Sequence, residues 1–451
     1  MNASVNVDFN KPSPGKVRAL HGVNSGPMTK VFTYDARSLF REAGFPYVRL
    51  HDVEYPYGSG EFVDIPCVFK DFDADETREE SYNFALTDEY IRAIVEVGAK
   101  PIFRLGVSIE HAPVKRYIYP PRDYRKWARI CEHVIRHYNE GWADGFHWDI
   151  RYWEIWNEAD NKERNMWLGT PEEFYELYVV SASWLKECFP ELMIGGCAYT
   201  RAVNSFAEGF FQYIAARKAP LDFYSWHRYF SDIDVVVESA GQARAVMDRY
   251  GYGAAESILD EWNYMDSWEH QAESYRAMKN HIGAAHAAAV LCALQQQTDV
   301  AVANYFEADV IKEFCGIFNV ADMAIGRRKA TLCPTKAFYS FLAFHQLYRM
   351  GNAVWADCRG QGIYACAAAG GGEMGLLVSV YNNEDTELIL ELSGLLSGEL
   401  EVRLTDEEHT FERLVSLEAG ERVTLKLTVK KDSVLYIGSA VHHTLEQGGV
   451  S

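Results

Sequence analysis

The stretch RYWEIWNE, residues 151–158, decides how the rest of the chain is read. Trp153, Ile155 and Trp156 suit a strand buried on both faces, as in a parallel sheet covered by helices. Glu154 does not suit it unless something inside requires a carboxylate. Alternation puts Glu154 on the same face as Trp156 and Glu158. Buried there it needs a cationic partner, Arg49 or Arg104, because an unpaired buried carboxylate is costly. Glu158 falls where this strand ends.

Seven more runs share that texture. They are VRALHGVN (17–24), YVRLH (47–51), KPIFRLG (100–106), LMIGGCAY (192–199), LDFYSWHRY (221–229), ESILDEWNY (256–264) and VAVANYFEA (300–308). Helical patterns separate them. TPEEFYELYVVSASWLKECF carries Thr170 as N-cap, Pro171 in the first turn and Glu173 to complete a capping box. DYRKWARICEHVIRHY repeats apolar residues at the 3.6-residue period. LTDEYIRAIVEVGAK offers Thr87 as cap and Gly98 as terminator. Eight strand–helix units predict an α/β fold, a (β/α)8 TIM barrel over residues 17–350, rather than an open doubly wound sheet. HGVNSGP after the first strand lacks the glycine spacing of a dinucleotide fingerprint.

Beyond residue 350 the texture changes to short alternating runs such as MGLLVSVYN, LEVRLTD and RVTLKLTV. Residues 351–440 are therefore expected to form an antiparallel β-sandwich accessory domain. SVNVDF, within residues 1–16, is expected to add a strand to it, and residues 441–451 to form a flexible tail.

Composition bounds the function. A net charge of −20 disfavours nucleic acid and anionic membranes as partners. No run reaches transmembrane length; AAHAAAVLCAL (284–294) reads as a buried helix. Nine scattered cysteines without a CxxC pair describe reduced thiols, and with no basic-then-apolar leader at the N-terminus the expectation is a cytoplasmic protein. Histidines 21, 51, 111 and 227 show no metal-ligand spacing, so no metal and no cofactor are expected. A homo-oligomer is compatible with all of this.

In such a barrel the reacting groups gather at the C-terminal ends of the strands. Glu158 ends the fourth strand and Glu261 lies near the end of the seventh, so their side chains can meet over the barrel mouth. Two facing carboxyl groups are what glycoside hydrolysis uses, one donating a proton and the other attacking or activating water. Asp260 competes with Glu261, since alternation turns only one of the two toward the pocket. YPYG (55–58) and RYIYPP (116–121) place aromatics in loops where they can wall a sugar site.

WEIWNEAD, YSWHRYF, ILDEWNY and YVRLHD, in this order across residues 17–350, resemble the signature segments of family 39 glycoside hydrolases. The resemblance implies a retaining mechanism with Glu158 as acid/base and Glu261 as nucleophile. It further implies that Asn157, His227, Tyr229, Arg49 and His51 contact the sugar or the nucleophile. In the eighth strand, where the family often has a tryptophan, this chain has Phe306 followed by Glu307, a departure expected to change the floor of the subsite. The expected activity is exo-cleavage of short oligosaccharides, β-D-xylosidase first. Arabinosidase, galactosidase and endo-acting glycanase are alternatives, and a non-catalytic sugar-binding barrel is a more distant one.

Overall fold

A computed structural model describes residues 2–29, 34–51, 53, 60–110, 113–310, 312–321, 331–381, 384–395 and 398–439. YPYG, His111 and the tail 441–451 lie outside these residues.

Eight parallel strands close into a barrel: Ala19–Asn24, Tyr47–Arg49, Lys100–Leu105, Tyr152–Ile155, Met193–Tyr199, Phe223–Tyr229, Glu256–Asn263 and Val302–Tyr305. Each pairs with the next in the chain, and the eighth returns to the first. A small apolar layer of Ile102, Tyr152, Phe223, Ile258 and Val302 plugs the N-terminal end. Above it the interior turns polar, and Arg49, Glu154 and Asp260 are wholly buried there.

Local signals explain the helices that hold the strands in place. Pro171–Cys188 has Thr170 as N-cap with the full capping box. Tyr124–Asn139 is capped by Asp123. Thr87 is not a cap, because the helix Ala85–Glu96 starts two residues before it. The Thr87 hydroxyl instead donates to the Phe62 carbonyl at 2.8 Å. Gly98 does end that helix region, in a left-handed conformation open to glycine at little cost.

The second unit is one nine-stranded sheet, antiparallel except at one pairing. Asn2–Lys16 is a member, antiparallel to Asn352–Arg359 and parallel to Thr386–Ser393. Strands from both ends of the sheet contribute to a single apolar cluster, with Leu388 and Leu390 joining Val402 and Leu435. The sheet is therefore curled over its own core. Its other packing surface meets the helix His281–Gln297, where the Ser379 hydroxyl donates to the Ala285 carbonyl at 2.7 Å. That helix contains the stretch 284–294, which is buried throughout. All nine cysteines are free. Among the described residues no helix is long and apolar enough to cross a membrane.

Candidate active site

The fourth strand stops at Ile155, earlier than alternation implied. Trp156 and Glu158 both take left-handed backbone angles, with φ of 71° and 47°. Such angles are costly for residues with a Cβ, and they persist only where surrounding contacts impose them. Here the Trp156 amide donates to the Leu105 carbonyl and the Glu158 amide to the Ala198 carbonyl, tying the turn to both neighbouring strands. Parity is lost at this turn. Trp156 points out to the helix layer, against Trp167 and Phe174, while Glu154 stays inside and Glu158 reaches the mouth.

On the seventh strand the register slips between Leu259 and Glu261 relative to the sixth. This local bulge corrects the expectation that only one of Asp260 and Glu261 can face inward. Both do: each lies within ion-pair distance of Arg49 and of His227.

Glu261 receives donors at both oxygens. Arg49 Nη1 donates to Oε1 at 2.8 Å, and Tyr229 donates its hydroxyl to Oε2 at 2.6 Å. His51 Nε2 lies 3.4 Å from Oε1. Glu158 is also paired: His227 Nδ1 donates to Oε1 at 2.8 Å and Asn161 Nδ2 to Oε2 at 2.7 Å. His227 Nδ1 stands between the two carboxyls, 3.3 Å from Glu261 Oε2. One oxygen from each carboxyl and the His227 nitrogen all fall within 4.8 Å of one another. That closeness fits the roughly 5–5.5 Å spacing of retaining glycosidases and falls short of the ~6.5–9.5 Å that inversion needs for a water. The same three groups could reach one cation. With Arg49 and Tyr229 already donating to Glu261, hydrogen bonding suffices to account for them.

The electrostatics follow from these contacts. Burial alone would raise the Glu158 pKa; the bond and charge of His227, with Asn161, overcome it and hold the group below its ordinary value. Burial alone would lower His227, but the charges of Glu261 and Asp260 push it well above the usual imidazole range. Burial raises Tyr229 further than any other effect, with the Glu261 charge adding to it, so its phenol remains a donor.

Arg49 links the site to its foundation. Its Nη2 donates to Asn157 Oδ1 at 2.8 Å, its Nε to Glu154 Oε2 at 2.6 Å, and its Nη1 also to Asn24 Oδ1 at 3.1 Å. Of the two cations proposed for Glu154, Arg49 is the partner. Arg104 is committed to Asp64 at 2.6 Å. Asn157 Nδ2 has no partner among the described residues, so it remains a buried, unpaired donor beside the carboxyls. Phe306 packs edge-on against His51 and Tyr229, and Glu307 accepts from the Ser25 hydroxyl at 2.8 Å. All nine residues singled out from the sequence thus come together, seven around the two carboxyls' contacts and Phe306–Glu307 along one side.

Sequence reasoning missed Asn24, Asn161 and Trp268. Asn161 had a signal, since a turn returning from Glu158 puts the third residue back over it, and the Asn161 amide does donate to the Glu158 carbonyl at 2.8 Å. Trp268, half exposed, sits edge-on to Tyr229 with ring centroids 5.6 Å apart and forms an aromatic rim with Phe314. Of RYIYPP, Tyr119 is exposed and Ile118 buried.

Residues 29–313 match the model for glycosyl hydrolases family 39. The chain belongs to glycosyl hydrolase family 39. Its sequence relatives include the β-xylosidases of Geobacillus stearothermophilus, 27% identical over 199 residues, and Caldicellulosiruptor saccharolyticus, 28% over 202. Those matches cover 42% and 43% of this family 39 chain but only 37% and 38% of the relatives, so under two fifths of each relative's length is spanned. Among solved structures, a glucosidase from Croceicoccus marinus superposes with a TM-score of 0.78 at 24% identity, covering 97% of this chain and 98% of that one. A family 39 enzyme from Xanthomonas axonopodis pv. citri gives 0.71 at 16% identity, covering 96% of each chain. These likenesses establish the fold: a (β/α)8 barrel with a β-rich companion. The family is one of retaining glycosyl hydrolases.

Proposed function

We propose that this chain hydrolyses β-glycosidic bonds with retention, acting as a β-D-xylosidase that releases single sugars from the ends of short oligosaccharides. The observation that carries the reading is the pair Glu158 and Glu261, close together, with His227 between them and different donors on each. Xylose as the sugar rests on the relatives named as β-xylosidases.

In the first step a Glu261 oxygen attacks the anomeric carbon, the bond to the leaving oxygen breaks, and Glu158 passes that oxygen a proton. A covalent glycosyl-enzyme results. In the second step Glu158 takes a proton from water, the water oxygen attacks the same carbon, and the bond to Glu261 breaks. The chain's own charges assist the exchange. His227 is kept protonated largely by the Glu261 charge, and it hydrogen-bonds Glu158. As Glu261 bonds to the sugar its charge disappears, and in that same step the His227 proton passes to Glu158 and on to the leaving oxygen. Glu158 is therefore ionised when it takes a proton from water in the second step, and it returns that proton to His227 as the Glu261 charge reappears. Asn157, whose amide nitrogen has no partner among the described residues, would hold a hydroxyl beside the reacting carbon, and Phe306 would pack against the ring.

The test is a panel of aryl β-D- and α-L-glycosides offered to wild type and to Glu261→Ala. Wild type should cleave the β-D-xyloside, and the variant should lose at least about ten-thousandfold in kcat. Cleavage of a different sugar only would correct the substrate. Unchanged activity in Glu261→Ala would overturn the assignment of the nucleophile.

A further inference from the structure

Below the reacting pair lies a second carboxyl pair, Glu154 and Asp260, which the two-step mechanism does not use. Neither has any exposed surface. They face each other within hydrogen-bonding reach, and both approach the same Arg49 nitrogen: Glu154 Oε2 at 2.6 Å and Asp260 Oδ2 at 3.1 Å from Nε. Only the first of these contacts has hydrogen-bond geometry. Among the described residues, no donor meets hydrogen-bond geometry at Glu154 Oε1 or at either Asp260 oxygen; the Ser225 hydroxyl lies near Glu154, and His227 Nε2 stands 3.6 Å from Asp260 Oδ1. An ionised carboxylate only accepts, so two of them in contact leave each other unsatisfied. Orphaned buried oxygens of this kind are rare in native interiors, and one shared proton would pair them.

We propose that Glu154 and Asp260 share one proton beneath the nucleophile, and that this singly protonated pair positions Arg49 on Glu261. This rests on the glycosidase reading only for what Arg49 does there. The charges of the surroundings support it. Arg49 from the second strand and His227 from the sixth are the cations that face the pair. Against them stand Glu154, Asp260, Glu261 and Glu158, four carboxyls that share Arg49 and His227, with the His51 imidazole beside Glu261 above the pair. The Cys197 thiol on the fifth strand and the Tyr224 phenol on the sixth are both pushed far up by burial and remain neutral. Asn24 from the first strand donates to backbone carbonyls, that of Asp260 at 2.7 Å and those of Asn304 and Tyr305 at longer range, and not to the Asp260 carboxyl. Burial and the Asp260 charge, opposed by Arg49, bring Glu154 to about 7, in keeping with a retained proton. With both groups ionised, a second negative charge on Nε would draw Arg49 down and loosen its Nη1 contact to Glu261. Glu154 and Asp260 are thus positioning residues: they touch Arg49, not the sugar.

Difference infrared spectroscopy reads the shared proton directly, as the stretching band of a protonated carboxyl group. The expected result is a band in the wild-type protein at pH 6 that disappears at pH 9 and is missing from both Asp260→Asn and Glu154→Gln. No band in wild type, or a band that survives in both variants, overturns the proposal. If a variant does not fold, the wild-type titration decides alone. Positioning is read separately on an aryl glycoside with an acidic phenol, which does not need the proton from Glu158. There Asp260→Ala should lower kcat roughly tenfold with KM unmoved, and Asp260→Asn, whose amide can donate to Glu154, should recover most of it. A change in KM instead of kcat contradicts the positioning role. The infrared band needs no substrate, so a wild type that shows it but cleaves no glycoside refutes the glycosidase reading while supporting the shared proton.

Discussion

The fourth and seventh strands each supply one carboxyl group to an upper pair, Glu158 and Glu261, and one to a lower pair, Glu154 and Asp260. The upper pair is furnished with neutral and charged donors from four other residues, one for each oxygen. Among the described residues the lower pair has one donor in good hydrogen-bond geometry, Arg49 Nε, with the Ser225 hydroxyl near Glu154 and His227 Nε2 at 3.6 Å from Asp260. The environments are comparably buried, so burial does not separate them. Donors do. Where donors replace water, burial's upward push on a carboxyl is overcome, as at Glu158; where they are missing it prevails, as at Glu154. Arg49 touches both levels, and through it the charge below bears on the reaction above.

Three substitutions or conditions press on this difference. The largest effect is expected for Glu158→Gln on substrates with poor leaving groups, a loss of about 10²–10⁴ in kcat/KM. Aryl glycosides with acidic phenols should lose far less, and equal losses on the two classes would remove Glu158 from the role of proton donor. Next is Arg49→Met, which strips the common cation from both levels. Leaving buried carboxylates uncompensated should cost about 3–5 kcal/mol of stability, measured by chemical denaturation. A loss below about 1 kcal/mol would mean that the pairs are not held by Arg49.

The smallest effect is a pH dependence. Glu154 is raised from its ordinary 4.5 to about 7, so the native state binds a proton that the unfolded chain gives up. Its contribution is complete below pH 4.5 and is lost as pH rises through 7. The span is worth on the order of 3 kcal/mol. Glu158 acts in the opposite sense, its contribution being lost as pH falls, so the comparison must be with Glu154→Gln. Stability between pH 5 and 8 should fall more steeply in wild type than in that variant. Parallel curves would place the lower pair with the upper one.

How far the chain could be read in advance depended on where its backbone follows the ideal pattern. The eight barrel strands were legible because strands buried on both faces carry dense runs of aromatic and branched residues, and Glu158 because it closes such a run. Alternation failed at two places. The left-handed residues Trp156 and Glu158 break parity in the fourth strand, and the register slip at Asp260 breaks it in the seventh. No local composition announces either one. Both are imposed by neighbouring strands, and both are where the reacting groups lie. Thr87 misled for a similar reason, since a threonine near a helix start resembles a cap whether or not its hydroxyl has found a carbonyl elsewhere. Asn24 is far from Arg49 in the chain and Trp268 lies in a connection rather than a periodic element, so neither showed itself before the barrel was closed.

Trapping the covalent intermediate tests the central assignment most directly. The reagent is an activated β-D-xyloside in which the hydroxyl beside the anomeric carbon is replaced by fluorine, or the matching sugar if the panel selects another. Inactivated protein would be digested and the labelled residue located by mass spectrometry. The expected result is one sugar attached at Glu261, with the neighbouring Asp260 unmodified. A label on Asp260, or on any residue other than Glu261, would contradict the division of labour between the two carboxyl pairs.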